Sequence, residues 1–169
     1  MAKLSTERLQ MVSWTAELIE VVLYDPSQLD TLLGVTIAEG FPNQPVRDFV
    51  LPSTFVHVRA DPNYGSWSGM IIHTADRMVI GSMGCKALPD DQGQVEMGYD
   101  IVSAYQGQGY ATEIGRAFVN WVSAQASVRR ITAECLPDNF ASIRVLEKMG
   151  LQRTAELKDM LYWEFLMSK

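Results

Sequence analysis

The sequence predicts an α+β fold, layered as α/β, in which helices flank a mostly antiparallel mixed sheet of about six to seven strands. Three observations carry this reading. A β-rich run from Trp67 to Ile101 alternates apolar and polar residues between turn clusters. A glycine corner, Gln106-Gly107-Gln108-Gly109-Tyr110-Ala111, then hands over to a stretch with helical spacing. Two last apolar segments, LQRTAEL and DMLYWEFLM, close the chain as a hairpin.

Taken in order, Glu7 to Trp14 alternate weakly and fit an edge strand. Thr15 to Asp25 reads as a helix with Thr15 as N-cap and a broad apolar face of Leu18, Val21, Val22 and Leu23. Pro26 and Ser27 start a second short helix through Leu33. From Thr36 to Tyr64 prolines interrupt the pattern, and QPVRDFVLPSTFVHVRAD reads as helical with a break at Pro52. WSGMIIHT and RMVIGSMGCKAL then form a hairpin about Ala75-Asp76, and QVEMGYDI follows the turn cluster LPDDQGQ as a third strand. Beyond the glycine corner a helix runs from about Ala111 to Gln125. Its Ile114, Phe118, Trp121 and Val122 share one face, and Glu113, Arg116 and Asn120 lie elsewhere. Arg129 to Leu136 is a strand. The next helix begins near Asp138 or Asn139 and ends at Gly150, which tolerates the left-handed C-cap conformation.

With 169 residues, 47% of them hydrophobic and 20% charged, the chain suits one ordered domain over residues 1–169. A net charge of −6 disfavours a nucleic-acid partner, although Arg129 and Arg130 leave room for a small phosphorylated ligand. No secretory leader and no apolar run of roughly 18 residues is visible, so the expectation is a cytoplasmic protein with no membrane partner. Cys85 and Cys135 lack CxxC spacing, and His57 and His73 lack metal-ligand spacing, so neither a disulfide framework nor a metal is expected. Trp67, Trp121 and Trp163 read as packing residues, and Cys135 as a small buried hydrophobe.

The glycine corner admits three uses. A triphosphate-binding loop needs Lys-Ser or Lys-Thr after the last glycine, and Gly109 is followed by Tyr110 and Ala111. A dinucleotide fingerprint needs a third small residue where Thr112 stands, after a strand opening a βαβ unit. The third use, a Gln/Arg-x-x-Gly-x-Gly/Ala signature, fits Gln106 to Ala111 at every position. There the helix N-terminus and its bare N–H groups hold a pyrophosphate without a lysine. Glycines also serve tight turns alone, so the hexapeptide by itself leaves the choice open.

The downstream segment narrows it. QGQGYATE, then a strand, then DNFASIRVLEKMGL resembles the GNAT superfamily of acetyl-CoA-dependent N-acetyltransferases, clearly from about Met78 to Gly150. The branch most resembled is that of the ribosomal-protein N-terminal (alanine/serine) acetyltransferases, which typically open on a phrase like LSTERLQM. The resemblance implies a GNAT fold with a splayed sheet. The strand Gln94 to Val102, with Ile101 and Val102 at its end, would pair with the pantetheine arm of acetyl-CoA. The N–H groups of Gln106, Gly107, Gln108, Gly109, Tyr110, Ala111 and Thr112 would hold the pyrophosphate, and Asn139 would contact pantetheine through its amide.

Acetyl transfer to an amine needs a proton acceptor. Glu96, in the phrase E-x-G-Y, is the candidate, expected to be partly desolvated and so raised in pKa. Many members carry a tyrosine seven residues after the asparagine as leaving-group acid; Leu146 stands there, and Ser142 is the remaining hydroxyl. Ser142 also reads as a first-turn helix residue bonding backbone. Tyr99 and Tyr162 are candidates to line the acceptor site. The expected reaction is direct attack by a primary amine, a protein N-terminus or a small amine, in a monomer or homodimer. The rival reading is a non-catalytic coenzyme A-binding sensor or interaction module.

Overall fold

The computed structural model describes residues 2–167. Its first strands are β1 (Ala2–Ser5) and β2 (Leu9–Ser13), followed by α1 (Ala16–Tyr24) and α2 (Gln28–Leu33). Thr15 caps α1 as the sequence implies, its hydroxyl accepting from the Leu18 N–H at 3.1 Å. A two-residue strand, β3 (Thr36–Ile37), pairs in parallel with a later strand.

The helical run that follows does not break at Pro52. A π-helical turn, Val46–Val50, passes directly into α3 (Leu51–Ala60). The Leu51 N–H bonds back to the Val46 carbonyl, and Pro52, which has no N–H to give, stands where the ladder changes from five-residue to four-residue spacing. A 3-10 turn, Pro62–Trp67, leads into β4 (Ser68–His73), β5 (Met78–Cys85) and β6 (Gln94–Ile101). The remaining elements are α4 (Tyr110–Ser123), β7 (Arg130–Cys135), α5 (Phe140–Lys148) and the hairpin β8 (Leu151–Leu157) and β9 (Met160–Phe165).

Among the described residues the sheet has nine strands, ordered β1-β2-β4-β5-β6-β7-β9-β8, with β3 beside β5. The two strands beyond the expected number are β1 and β3. The stretch read as an edge strand, β2, is therefore internal, paired on both sides by β1 and β4. Within the main strand order only β6 and β7 run parallel, and this pairing is short. It covers Gln94–Arg130, Val95–Ile131 and Glu96–Thr132 and stops there, while β6 stays paired with β5 through Met97 to Ile101. Past Glu96, β6 thus has one bonded edge and one edge open at the splay.

Helix α4 buries Ile114, Phe118, Val119 and Val122 against β2, β6 and β7. Phe118 and Ile114 are fully buried, each contributing about 1.5–3 kcal/mol. Trp163 is buried, and Trp67 packs edge-on against Trp121 with ring centroids 5.1 Å apart.

Candidate active site

The corner between β6 and α4 is built by two backbone conformations that side-chain-bearing residues rarely take. Gly107 has φ 75° and Gly109 φ 84°. Gln106 locks the entry by donating from Nε2 to the Ile101 carbonyl at 2.7 Å. Gly109 gives α4 no side-chain cap, and the first intrahelical bond runs from the Glu113 N–H to the Gly109 carbonyl at 3.0 Å. The N–H groups of Tyr110, Ala111 and Thr112 precede that bond and carry the positive end of the helix dipole.

Those groups face a cavity of about 500 Å³. Of the predicted binding residues, Ile101, Gln106, Gly107, Gly109, Tyr110, Ala111, Thr112 and Asn139 line it, as does the catalytic candidate Ser142. Val102 and Gln108 are not in its walls. Val102 is buried in the core cluster, and the Gln108 side chain turns to the Ala104 carbonyl and the Tyr110 hydroxyl, both at 3.4 Å. Asn139 spends its Oδ1 on capping α5, accepting from the Ser142 N–H at 3.1 Å. Arg144 and Lys148, one turn apart on α5, add two cations to the wall. Neither was singled out in the sequence, although their spacing on a helix that opens at Asn139 places both on one face.

The donor set suits acetyl-CoA. An uncapped helix N-terminus and two basic side chains fit its phosphates, and the open edge of β6 fits the amides of pantetheine. When bound, acetyl-CoA would supply a thioester carbonyl open to nucleophilic attack.

A second cavity, of about 480 Å³, lies between the helical run over residues 44–60 and strands β4, β5 and β6. Trp14, Phe49, Val50 and Tyr64 give it an apolar and aromatic wall, with Ser53, Ser82 and Lys86 among its polar groups. The two cavities share three residues, Asn43, Tyr99 and Asp100. Of the two tyrosines expected near an acceptor, Tyr99 lines both cavities and Tyr162 lines neither.

Alternation along β6 sends Glu96, Gly98 and Asp100 to one face, yet the two carboxylates have different surroundings. Glu96 lines neither cavity. It is ion-paired with Lys86, whose ammonium also stands 3.6 Å from Glu134. Glu96 is partly buried, as expected, but it sits in a charged cluster rather than alone. Asp100, which the sequence reading passed over, accepts a hydrogen bond from the Ser82 hydroxyl across the β5–β6 pair. Burial pushes its carboxyl above the ordinary aspartate range, against hydrogen bonding from Ser82 that works to lower it.

On the other side of the junction, the Tyr99 hydroxyl donates to Ser142 Oγ at 3.2 Å. Burial raises the Tyr99 phenol, and the bond to Ser142 opposes that rise. Ser142 is thus bound across to β6 as well as holding its place in the first turn of α5. Leu146, at the position of the missing tyrosine, is buried in the core.

The model for an acetyltransferase (GNAT) domain matches residues 42–152. The chain belongs to the GNAT acetyltransferase family. As a GNAT protein it is an acetyl-CoA-dependent acyltransferase, and its splayed sheet is that of the family fold. An uncharacterized N-acetyltransferase of Bacillus subtilis (strain 168), YjdG, is 27% identical over 96% of this chain and 98% of its own. Two solved structures share the fold. A ribosomal-protein-S5-alanine acetyltransferase from Vibrio fischeri superposes with a TM-score of 0.69 at 16% identity, covering 97% of this GNAT chain and 96% of its own. A ribosomal L7/L12 α-N-protein acetyltransferase, RimL, solved in complex with coenzyme A, has a TM-score of 0.69 at 14% identity, covering 99% and 98%. Among the described residues no helix is long and apolar enough to cross a membrane, and no cluster of three His, Cys, Asp or Glu is placed to hold a metal ion.

Proposed function

We propose that this enzyme moves the acetyl group of acetyl-CoA to the primary amine of a peptide N-terminus by direct attack. Acetyl-CoA would lie along the β6 edge and the α4 corner, and the acceptor would enter under the helical run. The observation that carries this reading is the shared wall. Two cavities of about 480 and 500 Å³ meet at Asn43, Tyr99 and Asp100, so an amine from one side and a thioester from the other would arrive at the same atoms.

Two features favour a peptide over a compact amine. Phe49 and Val50 line the acceptor cavity yet stay 72% and 49% exposed, so its apolar wall continues onto the outer surface where a chain would trail. The solved structures of this fold include enzymes described as acetylating ribosomal proteins. The carboxylates of Glu96, Glu134 and Asp100 near the cavity, with the net charge of −6, favour a cationic amine end.

Direct attack leaves a leaving thiolate to be protonated, and Ser142 with Tyr99 stands nearest that side of the junction. Glu96, the proton acceptor expected from the sequence, would have to act from behind Lys86.

The test is thiol release from acetyl-CoA with peptides bearing a free or a blocked N-terminus, beside a panel of polyamines and amino acids. Turnover with free N-termini and none with blocked ones is the expected result. Turnover confined to small amines would remove the peptide reading and keep the reaction.

A further inference from the structure

We propose that Asp100 is the catalytic base, taking the proton from the acceptor's ammonium group. This rests on the reading that the acceptor lies in the cavity under the helical run. The argument is one of position. Among the described residues lining either cavity, Asp100 is the only carboxylate, and there is no histidine. It lies in the wall common to both cavities, where an amine must lose its proton before it can attack. The Ser82 hydroxyl holds one carboxylate oxygen, Oδ1, and so fixes the group's orientation. Burial works in the same direction, since a carboxyl lifted above its ordinary range is a stronger base toward an ammonium. The other charged or titratable residues lining the two cavities are Lys86, Cys85 and Tyr64 on the acceptor side and Tyr105, Tyr110, Arg144 and Lys148 on the cofactor side, with Tyr99 preceding Asp100 in the strand.

The step balances as follows. Asp100 accepts one proton from the ammonium, leaving a neutral amine. The nitrogen lone pair forms the C–N bond to the thioester carbonyl carbon, and the C–S bond breaks with its electron pair staying on sulfur. A second nitrogen-bound proton reaches the sulfur as the amide forms, and Asp100 returns its proton to solvent. The sum is ammonium plus thioester giving amide, thiol and one proton.

The experiment compares Asp100→Asn and Glu96→Gln in the full-length enzyme, with thiol release from acetyl-CoA as readout. The expected result for Asp100→Asn at neutral pH is a loss of at least about 100-fold in turnover, larger than that of Glu96→Gln. Its affinity for coenzyme A by calorimetry should stay within about threefold, which also shows that it folds. The loss should shrink as the pH approaches the acceptor's own pKa, because the amine then arrives neutral. Asp100→Asn within about threefold of the unaltered enzyme, or a loss equal at every pH, would overturn the assignment.

A second measurement needs no acceptor and so separates this assignment from the acceptor reading. Carbon-13 NMR of aspartate-labelled protein should show one carboxyl titrating above the ordinary range, and that signal should vanish in Asp100→Asn. The absence of such a signal in the unaltered protein would overturn the role as well, whereas a lack of turnover with every amine tried would count against the acceptor reading only.

Discussion

The two cavities that meet at Tyr99 and Asp100 are built in different ways. Apart from Asn43, every residue lining the cofactor cavity falls between Tyr99 and Lys148, and its shape follows from a strand end, two glycines and two helix starts. The proposed acceptor cavity draws on Trp14, the helical run, Tyr64 and three strands, none of which touches it through a local motif. A site set by local backbone geometry breaks when its dihedrals are disturbed. One assembled from distant walls should instead give way gradually, wall by wall.

The sharpest way to test that contrast is at Gly109, whose φ of 84° places it where a Cβ is strained by roughly 1–2 kcal/mol. Gly109→Ala should weaken coenzyme A binding by about tenfold, read by calorimetry, and leave the acceptor KM little changed. An equal rise in both constants would show that the corner and the acceptor wall are coupled rather than separate.

Phe49 offers the converse. It lines the acceptor cavity while remaining 72% exposed, so truncation removes a contact without opening the core. Phe49→Ala should raise the acceptor KM by about three- to tenfold with the coenzyme A affinity unmoved. Steady-state kinetics with the best peptide acceptor would show a change confined to kcat if Phe49 instead shapes the reacting geometry.

The same contrast explains what was legible in the sequence. Thr15 as a cap, the two helices after the corner, Asn139 at a helix start and Gly150 at φ 97° are all settled by neighbouring residues, and all stood where expected. The run over residues 44–60 is helical as expected, but in place of the break expected at Pro52 it holds a π turn, and its buried positions are Val46, Leu51, Thr54 and Val58. The first interval is five residues, the step of a π turn, and it throws the later positions out of a 3.6-residue pattern. The two-residue strand β3 was missed because it takes its pairing from β5, far along the chain, whereas β1 is a short arm that pairs with its neighbour β2. Asp100 was overlooked for a related reason. Its phrase, EMGYDI, draws the eye to Glu96, while the group that orients Asp100 is Ser82 on the neighbouring strand and the cavity beside it is walled by the helical run. A carboxylate's setting is a tertiary property, and alternation alone assigned both to one face.

The smallest effect tests whether the corner is as local as it looks. Arg8, between β1 and β2, donates from Nη1 to the Gln108 carbonyl at 3.1 Å and from Nε to Glu113 Oε1 at 2.8 Å. Its guanidinium also lies 4.4 Å from the centroid of the Tyr110 ring. Burial works to raise the Glu113 carboxyl, but hydrogen bonds from Thr6 and Arg8 outweigh it and hold the group below the ordinary glutamate range. A carboxyl depressed in the folded state stabilises the fold above the unfolded pKa of about 4.3, and that contribution is lost as the pH falls through the folded value. Arg8→Ala should therefore lower the thermal midpoint by on the order of 2 °C at pH 7, with the difference fading below about pH 4. The shift stays small because the pair is partly exposed, and because Thr6 and the residue-8 backbone N–H still reach Glu113 in the variant. If coenzyme A affinity falls along with the midpoint, the first strands do more than pack against α4. They hold the Gln108–Tyr110 backbone in the conformation the phosphates need, and the corner is then only partly the product of its own residues.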